Sequence, residues 1–146
     1  MDINLDAIES NARVYCDLCA RNGISVAGVI KFSDGDLQVA KAYRDGGCAQ
    51  LASSRLSQLE GIRDALPQAK TLLIRMPSAS EADRVVRACD LSLNTEESTL
   101  RALSAAAVAA GVTHRVILMY ELGDLREGVS GQEALISLAK VAEGLP

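Results

Sequence analysis

Tryptophan is absent from this 146-residue chain, phenylalanine occurs once and tyrosine three times. A core must therefore be assembled from aliphatic side chains and alanine, which suits close packing of helices on a sheet. With so few stacking aromatics, no Lys/Arg cluster and a formal net charge of -4, a nucleic-acid-binding surface is excluded. No apolar run approaches the ~20 residues needed to cross a bilayer. The strongly apolar run 116–120, for instance, covers only five residues. No N-terminal stretch has the charged start and apolar body of a signal peptide, so a cytoplasmic protein is expected. The phosphate-loop patterns GxxxxGK[ST] and GxGxxG are missing, which argues against a nucleotide ligand.

Metal-binding chemistry is equally poorly supplied. A structural zinc site needs four ligands, yet there is one histidine and a single Cys-x-x-Cys, so no metal is expected. That pair, Cys16 and Cys19, lies mid-helix, whereas a redox-active pair sits at a helix start after a strand. Both are read as buried helical thiols, and Cys48 and Cys89 likewise as reduced cysteines. His114 reads as a loop residue leading into a strand.

What is present is a recurrence: a short apolar run, then an amphipathic helical run. The first helix spans 5–22, where Leu5, Ile8, Ala12, Tyr15, Cys16 and Cys19 share a face and Gly23 supplies the stop. Residues 24–30 read as a strand buried on both faces. Helix 37–45, strand 48–52, helix 55–65 and strand 71–74 follow. Ser78 and Glu81 have capping-box spacing, which opens a helix to residue 88. Then come strand 90–93, an alanine-rich helix 95–110, strand 115–120 and a last helix 132–143. Five strands separated by helices imply an α/β fold of parallel strands with right-handed crossovers. Length alone favours an open sheet, since a complete (βα)8 barrel takes at least ~200 residues.

Ligands of parallel α/β folds bind at the carboxyl ends of the strands. Lys31 closes the first strand, Ser53, Ser54 and Arg55 the second, Arg75 the third and Asn94 the fourth. Glu121, Gly123, Asp124 and Arg126 follow the fifth. A mostly cationic rim suits a carboxylate- or phosphate-bearing ligand. Lys31 directly after Ala27-Gly28-Val29-Ile30 is expected to be partly desolvated, which favours the neutral amine that condenses with aldehydes. In the glycine-bearing loop after the fifth strand, Arg126 is a bidentate donor for an anionic oxygen.

At these residues the sequence resembles the alanine racemase-type (fold III) pyridoxal-phosphate-dependent family, and specifically its ornithine racemase-like branch. The resemblance is carried by Gly28-Val29-Ile30-Lys31, by Gly35-Asp36 and by Leu51-Ala52-Ser53-Ser54-Arg55-Leu56. It is most specific over 117–128, the stretch from Ile117 through Tyr120, Gly123 and Arg126 to Gly128. The opening helix, with Asn11, also looks like the family start. The resemblance implies a partial (βα)8 TIM-type barrel of about five units, with residues 1–146 as its N-terminal part and the rest of the barrel and a β domain absent. It implies pyridoxal 5'-phosphate as cofactor, Lys31 as its Schiff-base lysine and one catalytic base, and Arg126 on the cofactor's phenolic oxygen. Arg75, Asn94 and Asp124 are the further expected cofactor contacts. The activity implied is amino-acid racemisation by removal of the α-proton.

Departures accompany the match. Gly35 stands where alanine racemases proper have a phosphate-contacting tyrosine, and Glu121 where the branch has Asp. In the family the opposing tyrosine base and much of the phosphate cradle lie beyond Pro146. An open barrel exposes the fifth strand, so a homodimer or a complementing C-terminal fragment is the expected partner. Two alternatives stand beside the racemase: a non-catalytic pyridoxal-phosphate carrier, and an open α/β domain for a small anion.

Overall fold

The computed structural model describes residues 2–146 and contains five parallel strands alternating with helices, in the order β1-β2-β3-β4-β5. The chain forms two compact units, Met1–Leu72 and Leu73–Pro146.

In the first unit, α1 (Leu5–Ala20) begins at Asn4, whose side chain accepts the Ala7 N–H at 2.9 Å. That satisfies one of the donors a helix start leaves unpaired. β1 (Ala27–Val29) is shorter than the predicted run 24–30. The Ile24 N–H is spent on the Cys19 carbonyl, closing the end of α1, so the chain leaves the helix before it can join the sheet. α2 (Leu37–Asp45) follows, capped by Asp36, which accepts from the N–H groups of Gln38 and Val39. β2 (Gln50–Ser53) pairs with β1 in the register Ala27↔Gln50, Gly28↔Leu51, Val29↔Ala52. α3 (Leu56–Ala65) then leads to β3 (Thr71–Leu73). Ile30, Ala40, Leu51, Ile62, Leu66 and Ala69 form the core, with Tyr43 packed on it. As the composition requires, it is almost wholly aliphatic.

The second unit starts from the capping box of Ser78 and Glu81, a 3-10 turn and α4 (Ala82–Ala88). β4 (Leu91–Asn94) pairs with β5 (Arg115–Leu118) from Leu91↔Arg115 to Asn94↔Leu118. Between them, α5 (Glu97–Ala110) begins two residues later than predicted, because Glu96 is extended (φ -123°, ψ 135°). Gly111, in the left-handed region at φ 66°, ends it. α6 (Gln132–Glu143) has the predicted bounds. Leu73, Val85, Val86, Leu100, Leu103 and Leu138 are among the buried residues of this unit. β5 alternates exposed and half-buried residues, the pattern of a strand with one open face. Among the described strands only β4 pairs with it, as the expected edge requires. No described helix is long and apolar enough to cross a membrane.

The cysteine expectation needs correction. Cys16 and Cys19 are half-buried rather than buried, because α1 buries only Ala12 and leaves its sulfur-bearing face partly open. Cys16 and Cys48 bring their sulfurs within 3.9 Å, and all four cysteines are free. Burial, together with the Cys16 contact, pushes the Cys48 thiol up to about 12, so it stays protonated and unreactive at neutral pH.

α1 lies so close to the end of α2 that a Cβ on Gly46 would stand 2.6 Å from the Ala12 Cβ and 2.7 Å from the Glu9 carbonyl oxygen. Gly46→Ala is therefore expected to destabilise the protein by about 1–3 kcal/mol through overpacking. A lowered urea midpoint at unchanged slope checks this; an unchanged midpoint refutes the close approach.

Candidate functional site

Ile30 is fully buried and anchors the end of β1, and its neighbour Lys31 opens a 3-10 turn over Lys31–Ser33. The turn is closed by the Ser33 and Gly35 N–H groups, both donating to the Ile30 carbonyl. Beyond it, Asp34 takes a left-handed conformation at φ 53°, and its carboxylate receives Gln58 Nε2 at 2.8 Å and Arg55 Nη1 at 3.0 Å. The fully buried Ser53 donates to Gln58 Oε1 at 2.6 Å and accepts the Arg55 N–H at 3.1 Å. These bonds tie the loop after β1 to the end of β2 and the start of α3. Gly35 packs against Gln58: a Cβ there would lie 2.9 Å from the Gln58 Cβ. A tyrosine therefore cannot occupy this position without moving α3, which is why the family's phosphate-contacting aromatic is not accommodated here.

Lys31 itself is exposed, contrary to the expectation of a desolvated amine. The buried Ile30 precedes it, but the turn carries its side chain outward. Its ammonium makes no hydrogen bond or ion pair among the described residues.

In the second unit the predicted cations divide. Arg75 pairs with Glu81 at 3.2 Å, and Glu81 also accepts the Ser78 N–H of the capping box. Those backbone and side-chain hydrogen bonds hold the Glu81 carboxyl below the usual range, with the arginines Arg75 and Arg84 adding to the effect. Arg126, by contrast, has no ion-pair partner among the described residues. The mostly cationic rim is thus corrected: Arg55 and Arg75 are neutralised by carboxylates, which leaves Lys31 and Arg126 uncommitted.

Arg126 and Asp124 sit on a loop whose base is clamped by two hydrogen bonds, Glu121 N–H to Val129 O and Val129 N–H to Met119 O, both 3.0 Å. The Glu121 carboxylate accepts the N–H groups of Gly123 and Leu125, which lowers its pKa and turns the loop back toward its own base. Gly128 has φ 127°, and a Cβ there would meet the Glu121 nitrogen at 2.7 Å and the Tyr120 carbonyl carbon at 2.8 Å. Only glycine closes this base.

Asn94, which ends β4, is fully buried. Its Nδ2 donates to the Ser92 carbonyl at 3.0 Å and to Ser92 Oγ at 2.9 Å. Ser92 Oγ meets His114 Nε2 at 2.8 Å, and His114 Nδ1 meets the Cys89 carbonyl at 3.0 Å. A carbonyl can only accept, so Nδ1 carries the proton, Nε2 accepts from Ser92, and the Ser92 oxygen accepts from Asn94. This chain fixes the Asn94 amide orientation and leaves its Oδ1 buried with no partner. Asn94 lines a cleft of about 330 Å³ with Met76, Ser78, Thr95, Glu96 and Ser98. Neither Ser92 nor His114 ends a strand, so the strand-end pattern does not mark them as partners of Asn94.

Taken separately, the uncommitted primary amine of Lys31 in the first unit has the chemistry to condense with an aldehyde, and the uncommitted guanidinium of Arg126 in the second has the chemistry to hold an anionic oxygen, as pyridoxal phosphate would require of each. Asn94 Oδ1 is an acceptor and does not fit a phosphate or phenolate oxygen.

Against known proteins, the profile of the family described as "Alanine racemase, N-terminal domain" matches residues 3–146. Ornithine racemase of Acetoanaerobium sticklandii is 34% identical over 133 residues, covering 91% of this chain and 37% of that protein. Lysine racemase of Thermotoga maritima is 30% identical over 138 residues, covering 94% of this chain and 39% of that protein. The chain thus spans about two-fifths of the length of these relatives. Among solved structures, D-threonine aldolase from Filomicrobium marinum superposes with a TM-score of 0.84 at 20% identity, over 98% of this chain and 40% of that one. Alanine racemase from Streptomyces coelicolor gives 0.81 at 23% identity, over 97% of this chain and 39% of that one. These two establish the partial barrel fold; since one is an aldolase and the other a racemase, the fold by itself does not select the reaction.

Burial holds the His114 pKa below its ordinary value despite the Cys89 hydrogen bond and Asp90. The unfolded chain therefore binds a proton below roughly pH 6.5 that the folded chain refuses, and stability falls as the pH drops through that window. Urea midpoints near neutrality and in mild acid are expected to differ more for the native protein than for His114→Asn; equal differences contradict the assignment. Separately, Gly128→Ala is expected to speed amide exchange at Glu121 and Val129 by roughly tenfold or more, because the strained clamp opens. Unchanged protection at both amides contradicts it.

Proposed function

This chain belongs to the alanine racemase N-terminal domain family, and on that premise we propose that it is the N-terminal barrel portion of a pyridoxal-phosphate-dependent amino-acid racemase, with Lys31 holding the cofactor. The observation that carries the reading is Lys31 itself: an amine without partners at the carboxyl end of β1, within a motif shared with the ornithine racemase-like branch. When bound, the cofactor supplies an electron sink for the carbanion at the substrate α-carbon.

The chain's own residues then have distinct tasks. Lys31 Nζ anchors the cofactor and moves the α-proton on one face of the substrate. The Asp34, Arg55 and Gln58 bonds hold the turn that carries Lys31, so the amine keeps its place at the strand end. Arg126, presented by the clamped loop, donates to the cofactor's phenolic oxygen. Arg75 and Asp124 lie on the same unit's strand ends and complete its polar rim. The base for the opposite face comes from outside residues 1–146, either from a C-terminal continuation or from a partner chain. The relatives' names support an amino-acid substrate, with ornithine and lysine as the first to try.

A second reading is favoured by the exposure of Lys31: a protein that binds pyridoxal phosphate without catalysis, since an exposed amine is not activated by burial. Adding pyridoxal phosphate is expected to produce a visible absorption band and, after borohydride, a mass increase on the peptide containing Lys31. Lys31→Ala is expected to abolish both, and Arg126→Gln to weaken binding by roughly tenfold, the scale of one charge-assisted hydrogen bond. If Lys31→Ala binds and is reduced identically, both readings fail. Polarimetry on D- and L-ornithine and lysine separates racemase from carrier.

A further inference from the structure

α1 and the segment that follows α2 meet along one helix face. Ala12 lies against Gly46, and Cys16 against Gly47, where a Cβ would stand 3.4 Å from the Cys16 Cβ. Positions 12 and 16 are four residues apart and so share that face. Arg13 Nη2 adds a bond to the Asp45 carbonyl at 3.1 Å. Across from α1, the Cys48 backbone is fixed from both sides: its N–H donates to the Tyr43 carbonyl at 3.0 Å, and the Ala49 N–H to the Val26 carbonyl at 2.8 Å. Two thiols 32 residues apart in sequence are thereby held with their sulfurs 3.9 Å apart. Both cysteines are half-buried rather than sealed in, and Cys48 lines a cleft of about 280 Å³ with Ile8, Tyr15 and Tyr43.

A disulfide has an S–S bond of about 2.05 Å and Cβ atoms about 3.5–4.5 Å apart. Starting from 3.9 Å, the Cys16 and Cys48 sulfurs need to move by only about 1 Å each, a modest rotation about their Cα–Cβ bonds. Cys19 offers no such geometry. It lies three residues from Cys16 on the same helix, where Cβ atoms are about 5–6 Å apart, so bonding would unwind α1. Cys89 is buried in the second unit.

We propose that Cys16 and Cys48 form a reversible dithiol–disulfide pair that exchanges with a low-molecular-weight disulfide such as glutathione disulfide. Cys48 keeps its proton at neutral pH, so Cys16 makes the first attack. Its thiolate bonds one glutathione sulfur, the glutathione disulfide bond breaks, and the departing glutathione thiolate takes up the proton Cys16 gave away. Cys16 then no longer raises the Cys48 pKa, and Cys48 has an electrophilic sulfur at contact distance. Cys48 attacks Cys16 Sγ, the mixed disulfide breaks, and the second glutathione leaves with the Cys48 proton. Two protein thiols are oxidised and one glutathione disulfide is reduced to two glutathiones. The ring so closed spans residues 16–48 and contains β1, the Lys31 turn and α2. Oxidation therefore braces the segment that presents Lys31, although the exchange itself requires neither a cofactor nor the racemase reading.

The test equilibrates the native 146-residue chain with glutathione and glutathione disulfide, quenches with iodoacetamide and maps the peptides. At about 1 mM of each, the internal disulfide is expected to exceed the mixed disulfide by roughly tenfold or more, because the second thiol is already in place. The cross-link is expected to join Cys16 to Cys48, with Cys19 alkylated, and dithiothreitol is expected to restore all four thiols. The oxidised protein is expected to unfold in urea with a midpoint higher by roughly 1 M, since the ring restrains the unfolded chain. Cys48→Ser is expected to retain glutathione on Cys16, and Cys16→Ser to take up none at Cys48. If either variant fails to fold, the native protein decides alone. A Cys16–Cys19 or intermolecular disulfide, glutathione retained on the native chain, four thiols still alkylated, or a lowered urea midpoint would each overturn the proposal.

Discussion

Parallel strands cannot be joined by hairpins, and each must cross back through a helix before the next begins. That constraint puts the carboxyl ends of successive strands on the same side within each unit, and the polar residues described above gather near those ends. Lys31 follows β1 and Ser53 closes β2 in the first unit; Asn94 closes β4 and Arg126 rides on the loop after β5 in the second. The helices that enforce the crossover also pack the aliphatic core, so the composition and the placement of polar groups have one cause.

The polar groups at these ends do two kinds of work. Arg55 and Arg75 are consumed by Asp34 and Glu81, and the resulting pairs are exposed. Exposed pairs contribute at most about 1 kcal/mol each, so their value is geometric: one holds the turn that carries Lys31, the other braces a helix start. Lys31 and Arg126 stay uncommitted, which is the state a ligand-binding cation needs. Asn94 is the opposite case. A buried carbonyl oxygen without a donor costs about 1–3 kcal/mol, and three further residues are arranged to keep it that way. The hydrogen bonds of Ser92 and His114 hold the amide in that orientation.

Periodicity made most of the fold legible before any coordinates. α2 and α6 fall on their predicted bounds, and the Ser78–Glu81 box opens its helix as spaced. The errors lie where local hydrogen bonds compete with regular structure: Ile24 is spent on the end of α1, and Glu96 is extended ahead of α5. The strand-end rule located Lys31, Arg75, Asn94 and the 121–126 loop, but it could not say which charges were already paired. Glu81 reaches Arg75 only through a capping box and Gln58 reaches Asp34 only across α3, neither of which composition records. The half-open sulfur face of α1 was missed because an apolar stripe does not reveal how much of it a neighbouring helix covers.

By itself, then, the sequence determined the alternation of strand and helix, the aliphatic core, the family resemblance and the place of Lys31 at the end of the first strand. These follow from residue periods and from motifs contiguous in the chain. Only the tertiary structure decided that Lys31 is exposed, that Gly35 is pressed against Gln58, that Gly128 closes a loop against Tyr120, and that His114 and Ser92 lock Asn94 with its oxygen free. Each of these depends on groups distant in sequence coming within a few ångströms, and the direction of a hydrogen bond exists only once both partners are in place.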